Sequence, residues 1–252
     1  MDVQDNHWNG NADSKYYDNR MVNLIRSCFV EFVGDIIFIF IGVMQGSSAA
    51  GVTGAALAHG ITIFVLIAGM GHISGGHYNP AVTLGVLVSG NISILNAICY
   101  MLSQVLGGFV GALLARAAAG AEYMNTIGGG ITMPNEAAQT YVMEGVVCEI
   151  VLTYLLVSTV LMTAVDTDSN SLAPLAIGLS ITADIFAGGN ISGASMNPAR
   201  TLGPAIAWSI FKNSDHWFIQ WIYIAGPFVG ALIAGVIYKI FLAKDGKRWM
   251  LN

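Results

Sequence analysis

The chain has 252 residues, of which 55% are hydrophobic and 10% are charged, with a net charge of −5 and a mean hydropathy of +0.65. Ordinary soluble domains contain roughly 25% charged residues, so a water-soluble fold of this length would lack a polar surface. The acidic balance, without a basic stripe, argues against nucleic acid as a partner. All three cysteines fall in apolar segments, which indicates neither a disulfide framework nor a zinc site.

The first 21 residues are polar and form the N-terminal tail in this interpretation. They include four aspartates, namely Asp2, Asp5, Asp13 and Asp18. A cleavable signal peptide would instead have a basic start and an apolar middle. We therefore expect residues 1–21 to be a disordered tail.

Six apolar stretches are long enough to cross a hydrocarbon core about 30 Å thick. They cover residues 22–45, 54–72, 94–116, 141–165, 171–188 and 217–242. The longest connection between them, residues 117–140, contains three consecutive glycines and Pro134. We expect this connection to be a loop that joins two halves of the chain.

A short segment after the second stretch returns after the fifth. Residues 73–85 and 191–203 lie 118 positions apart and are identical at nine of thirteen positions. Asn is a strong helix N-cap and Pro suits the first helical position, so Asn79 and Asn197 should each begin a helix. The apolar run from Asn79 to Ser89 is about 16 Å long at about 1.5 Å per residue. These segments are therefore predicted to be half-helices.

Each half of the chain contains three spans and one half-helix, over residues 22–116 and 141–242. Because three is odd, the second half must be inverted in the membrane relative to the first. The glycine pairs Gly107 and Gly111, and Gly226 and Gly230, place small residues four apart in both halves, which favours close helix packing.

Basic residues are concentrated near the two ends of the chain. They are Lys15, Arg20, Arg26, Lys239, Lys244, Lys247 and Arg248, whereas only Arg116 and Lys212 are expected on the opposite side. The positive-inside rule then predicts that both tails, residues 1–21 and 243–252, are cytoplasmic. The connection of residues 117–140 would be extracellular.

Two Asn-Pro-Ala boxes, each at the start of a short helix, resemble those of the aquaporin (major intrinsic protein) family. The boxes are Asn79-Pro80-Ala81 and Asn197-Pro198-Ala199, and the resemblance extends over nearly the whole chain. It implies an all-α membrane protein with six transmembrane helices and two re-entrant half-helices in an inverted repeat. It further implies a passive pore in the lipid bilayer, a homotetramer, no cofactor and no enzymatic activity.

The resemblance also implies roles for individual residues. Glu31 and Glu149 share the offset of 118 and are expected to accept hydrogen bonds from the backbone before each half-helix, because an unpaired charge inside a span is costly. The helix N-termini, each with roughly half a positive charge, would meet near the midplane and repel cations. There the amides of Asn79 and Asn197 would orient passing water.

Family spacing marks four selectivity-filter positions, occupied by His59, Ile185, Ala194 and Arg200. Strict water channels commonly have an aromatic residue at the first position and His at the second. With His first and Ile second, the set looks like the aquaammoniaporin branch, which favours ammonia or hydrogen peroxide alongside water. Plant tonoplast channels have a similar filter and remain an alternative.

Two other functions are kept as alternatives. A glycerol or small-solute facilitator usually has Asp where Thr201 follows Arg200, although Ile224 at a usual Trp position weakens that distinction. A secondary transporter also uses inverted repeats and broken helices, but needs an ion or proton site at the midplane. Glu31 and Glu149 are expected to be occupied by their loops.

Overall fold

The computed structural model describes residues 20–134, 142–167, 170–212, 216–244 and 246–249, and this part of the chain is helical, without strands. The predicted N-terminal tail lies outside it up to residue 19. The helices are α1 (Arg20–Met44), α2 (Gly51–Ser74), α3 (Pro80–Val88), α4 (Ile94–Thr126), α5 (Val142–Val160), α6 (Ala173–Gly188), α7 (Pro198–Phe211), α8 (Trp217–Gln220) and α9 (Ile222–Ile237). Single π-helical turns, Leu161–Val165 and Tyr238–Leu242, extend α5 and α9.

Five helical segments in the described residues are long and apolar enough to cross a membrane. They are Arg20–Ser47, Gly51–Ser74, Ile94–Thr126, Val142–Val165 and Trp217–Leu242. The sixth predicted span corresponds to α6, which has 16 residues and is about 24 Å long at about 1.5 Å per residue. All six predicted apolar stretches are therefore helical, and α6 is the shortest.

The predicted loop over residues 117–140 is wrong at its beginning, because α4 continues to Thr126. Residues 117–119 are all alanine, which has the highest helix propensity. Gly120 adopts a φ of 82° and kinks the helix without ending it. The connection outside helices therefore begins at Ile127 and contains a glycine turn, Gly128–Gly130.

The two predicted half-helices are α3, with 9 residues, and α7, with 14. Each begins at its capping asparagine. The Oδ1 atom of Asn79 accepts from the N–H of Ala81 at 2.8 Å, and that of Asn197 accepts from the N–H of Ala199 at 2.9 Å. At about 1.5 Å per residue neither helix is long enough to cross a bilayer.

The two halves of the chain pack on each other about a pseudo-two-fold axis. Gly60 on α2 and Gly178 on α6 are 118 positions apart, and a Cβ atom added to either would lie 2.5 Å from the carbonyl oxygen of the other. Within the halves, Cβ atoms at Gly107 and Gly230 would lie 2.4 Å from backbone oxygens of α1 and α5. The close packing predicted at Gly107 and Gly230 is confirmed, and the contact between Gly60 and Gly178, which was not predicted, brings α2 and α6 together.

Candidate functional site

The tips of the two half-helices are joined by reciprocal hydrogen bonds. The Nδ2 atom of Asn79 donates to the carbonyl oxygen of Met196 at 2.9 Å, and that of Asn197 donates to the carbonyl oxygen of Tyr78 at 2.8 Å. Tyr78 and Met196 are themselves 118 positions apart, so the contact follows the two-fold symmetry. The positive ends of two helix dipoles therefore meet at one point.

Each asparagine amide uses only part of its donor capacity in this contact. A carboxamide has two N–H bonds and one carbonyl oxygen; the oxygen caps the asparagine's own half-helix and one N–H binds the opposite half. This hydrogen bond to the other repeat was not predicted from the sequence. The second N–H of each amide has no protein acceptor among the described residues, and both asparagines line a cavity.

Glu31 holds the loop before α3. Its Oε1 atom accepts from the Oγ of Ser74 at 2.6 Å and from the N–H of His77 at 3.0 Å, while Oε2 accepts from the N–H of Tyr78 at 2.7 Å. The Nε2 atom of Gln104 donates to Oε2 at 2.8 Å. The carboxylate is completely buried, and four donors compensate it.

Glu149 makes the equivalent contacts before α7. Its Oε1 atom accepts from the Oγ of Ser192 at 2.7 Å and the N–H of Ser195 at 2.9 Å, while Oε2 accepts from the N–H of Met196 at 2.7 Å. In the loops, Tyr78, Ala194 and Met196 have φ angles between 45° and 55°, a strained conformation for residues with a Cβ. The carboxylates bind the N–H groups that this conformation turns toward them.

Several residues of these loop networks were not identified from the sequence. Tyr100 donates to the carbonyl oxygen of Ser74 at 2.8 Å, and Tyr223 donates to that of Ser192 at 2.5 Å. Ser74 and Ser192 carried a usable signal, since both are polar and identical in the duplicated segment. Gln104 and the two tyrosines are isolated polar positions in apolar spans, and nothing in their spacing indicates their backbone partners.

One cavity passes along the tips of both half-helices. Its lining includes the asparagine pair Asn79 and Asn197 and all four predicted filter residues, His59, Ile185, Ala194 and Arg200. Eighteen of the nineteen lining residues form nine pairs separated by 118 positions. The cavity therefore lies on the pseudo-two-fold axis and receives nine residues from the first half and ten from the second, the extra one being Val160.

The polar end of this cavity is formed by His59 and Arg200. The Nη1 atom of Arg200 donates to the carbonyl oxygen of Gly130 at 3.0 Å, in the connection between the halves. The Nδ1 atom of His59 lies 2.8 Å from the carbonyl oxygen of Ala55, so it carries the hydrogen and leaves Nε2 as an acceptor. That Nε2 atom is buried without a protein partner, and a Cβ atom at Gly42 would lie 2.5 Å from it.

The four filter positions have apolar or small counterparts in the other half. His59, Ile185, Ala194 and Arg200 correspond to Ile177, Ile67, Gly76 and Val82, and all eight residues line the cavity. Gly42 leaves space for the His59 side chain. The counterpart of Gly42 in the other half is Val160, a larger apolar residue that lines the cavity together with Ile177. The lining is therefore symmetric in position and asymmetric in polarity.

The cavity combines hydrogen-bonding side chains with apolar ones. No cluster of His, Cys, Asp or Glu suited to a metal ion occurs among the described residues. Glu31 and Glu149 direct their carboxylates to loop N–H and hydroxyl groups, and neither lines the cavity. The arrangement offers a small neutral molecule hydrogen-bond partners at two levels, the asparagine pair and the pair of His59 and Arg200.

Comparisons with known proteins agree with this architecture. The family model described as Major intrinsic protein matches residues 18–238. Aquaporin-8 of Notomys alexis is 41% identical over 233 residues, covering 90% of this chain and 86% of that protein. Aquaporin TIP1-1 of Zea mays is 39% identical over 230 residues, covering 86% of each chain.

A solved structure shares the fold at lower sequence identity. The X-ray structure of the aquaglyceroporin from Plasmodium falciparum matches with a TM-score of 0.75 and 21% identity, covering 85% of this chain and 95% of that one. Because the family model covers most of the chain and relatives near 40% identity match over nearly their full length, the family is shown. The chain belongs to the major intrinsic protein (aquaporin) family, and it is an integral, multi-pass membrane channel for water and not an enzyme.

Proposed function

We propose that this channel conducts ammonia and hydrogen peroxide together with water and excludes protons and other ions. The observation that carries the proposal is the composition of the polar end of the cavity. His59 and Arg200 supply polar groups there, while Ile185 and Ala194 supply none. One side of the passage is polar and the other is apolar or small.

Exclusion of cations, including hydronium, follows from fixed positive charge along the cavity, and anions must be stopped elsewhere. Arg200 repels cations at one end, and the two half-helix N-termini repel them where the asparagines meet. In aquaporin-type channels generally, selectivity comes from pore width, lining donors and half-helix dipoles. The free N–H groups of Asn79 and Asn197 orient a water molecule as an acceptor, which interrupts a continuous proton wire.

Passage of ammonia follows from the replacement of a second polar filter residue by Ile185. Water that enters a narrow apolar passage loses hydrogen bonds, and each bond lost costs a net free energy of about 0.5–1.5 kcal/mol. Ammonia has a single lone pair and is a weaker donor, so it loses less. The Nε2 atom of His59 can accept from either molecule.

The test is flux through proteoliposomes under osmotic, ammonium and glycerol gradients, followed by stopped-flow light scattering. We expect water and ammonia to enter the vesicles faster than they enter empty vesicles. The rate of glycerol entry should equal the rate for empty vesicles. The change Ile185→His should lower the ratio of ammonia to water flux about two- to tenfold, because it restores a polar group worth about one hydrogen bond. The change His59→Ala should also alter that ratio.

His72→Ala is the matched control, because His72 is exposed on α2 and does not line the cavity. Unchanged flux ratios in both filter variants would contradict the filter assignment. Rapid glycerol entry would favour a glycerol facilitator. Accumulation of a solute against its gradient would favour a secondary transporter.

We further propose a homotetramer with one pore in each chain and both chain ends in the cytoplasm. The tetramer is proposed from the family resemblance alone. The orientation is supported by the basic residues Lys239, Lys244, Lys247 and Arg248 near the end of the chain, against Arg116 and Lys212 at the other side.

A further inference from the structure

The cavity has a second set of lining residues whose positions mirror the filter. The apolar set comprises Ile67, Gly76, Val82 and Ile177, which are the repeat equivalents of Ile185, Ala194, Arg200 and His59. The two-fold axis passes between Asn79 and Asn197 and between Gly60 and Gly178. The apolar set therefore lies at the opposite end of the cavity from the filter.

The side chains of the apolar set provide no hydrogen-bond donor or acceptor. Val82 occupies the position of Arg200, and Ile177 occupies that of His59. Ile177 is 4% exposed and Val82 is 3% exposed, so both are packed in place by their neighbours. Val160 reinforces this apolar character, since its repeat equivalent is the glycine that makes room for the His59 imidazole.

One ring nitrogen of His77, a polar lining residue of this half, is already engaged. The Nδ1 atom of His77 lies 3.1 Å from the Oγ1 of Thr83, and the ring packs edge-on against Tyr100 at a centroid distance of 5.4 Å. This imidazole follows Gly76 directly and precedes the asparagine by two positions. Val82 and Ile177 therefore offer a passing molecule no hydrogen bond of their own, and in this half it depends on backbone groups, on the second ring nitrogen of His77 and on neighbouring permeating molecules.

We propose that Ile67, Val82 and Ile177 form a second selectivity barrier, which acts by removing hydrogen bonds from the permeating molecule. Narrow apolar passages resist water by dewetting. Such a barrier slows water more than ammonia, so it adds to the discrimination made by Ile185. The proposal rests on the proposed function, because it assigns the cavity as the path of both solutes.

The test is an isosteric change that places one hydroxyl in the apolar set. Val82→Thr keeps the shape of the side chain, and its hydroxyl can bind passing water. We expect water permeability to rise about two- to tenfold, the effect of one net hydrogen bond, while ammonia flux changes less. The matched control is Val86→Thr, one turn along α3, where the side chain is buried outside the cavity.

The hydroxyl introduced by Val82→Thr could bind a carbonyl group of its own helix instead of a molecule in the cavity. A second pair of variants therefore tests the barrier at another position. Ile67→Thr on α2 should raise the ratio of water to ammonia flux, whereas Ile61→Thr on the exposed face of the same helix should not. If folded Val82→Thr and Ile67→Thr channels keep the wild-type ratio, the second barrier does not exist. If wild-type vesicles pass neither solute faster than empty vesicles, the proposed path fails and the barrier fails with it.

Discussion

At the scale of single residues, the re-entrant loops depend on two carboxylates that only accept hydrogen bonds. Glu31 and Glu149 bind hydroxyl and backbone N–H groups from the loop before each asparagine. An ionised carboxylate has no hydrogen to donate, so every contact is made to a donor, which lies on the loop or, for Glu31, also on Gln104 of α4. Both glutamates could be identified from the sequence because their shared offset singles them out. Tyr100, Gln104 and Tyr223 could not, since their partners are brought near only by packing between distant helices.

Replacing Glu149 by Gln should destabilise the loop before α7. The new amide would place a donor where the N–H of Met196 or Ser195 now donates, losing one or two charge-assisted bonds worth about 1.5–3 kcal/mol each. We expect a lower midpoint of thermal unfolding in purified protein. Glu144→Gln changes an exposed glutamate of the same helix and should stay within about 0.5 kcal/mol of wild type. Equal shifts for the two variants would contradict this role.

At the scale of helices, the pattern of the chain predicts where elements begin better than where they end. Asn79 and Asn197 mark the starts of α3 and α7, because a cap and a proline act locally. The end of α4 was missed, since Gly120 bends this helix while later residues continue it to Thr126. Whether a glycine ends a helix or only kinks it depends on how the residues after the glycine pack against other helices. The local sequence does not show that packing.

The contact between α2 and α6 can be tested at its centre. In Gly60→Ala, the new methyl group would lie 2.5 Å from the carbonyl oxygen of Gly178 and closer still to Thr182. Such overpacking costs about 1–3 kcal/mol, so thermal stability should fall. Because α2 carries His59 and α6 carries Ile185, water permeability should change as well.

The control for this substitution is Gly69→Ala on the same helix. No atom lies within 4 Å of a Cβ atom at Gly69, and alanine is a better helix former than glycine. The control should therefore match or exceed wild-type stability. Gly178→Ala should resemble Gly60→Ala, and the double variant should be less destabilised than the sum of the two, because both act on one contact. Equal stability of Gly60→Ala and Gly69→Ala would contradict the close approach.

At the scale of the whole molecule, the backbone has pseudo-two-fold symmetry, whereas some of the side chains that line the cavity do not share it. The asparagines, the loop glutamates and the paired glycines obey the symmetry, and they build the scaffold. The pairs Arg200 and Val82, and His59 and Ile177, break it, and all four residues line the cavity. The duplicated segment revealed the scaffold from the sequence, while the polarity of each cavity end required knowing which residues line it.

The predicted orientation can be checked by labelling introduced cysteines in whole cells. Lys212→Cys should react with a membrane-impermeant thiol reagent added outside, because Lys212 is exposed on the side predicted to be extracellular. Lys247→Cys should react only after permeabilisation, since the basic end of the chain is predicted to be cytoplasmic. The wild-type chain gives the background from its own three cysteines. The reverse labelling pattern would invert the assignment.

The hydrogen bond from Arg200 to Gly130 ties the segment between the halves to a side chain that lines the cavity. Two separate copies of one half, paired about the same axis, would present identical mouths at both membrane faces. Covalent fusion provides a strand of chain that exists at one face only, and its carbonyl group fixes the guanidinium there. The difference between the two ends of the cavity thus depends in part on the peptide segment that joins the two halves.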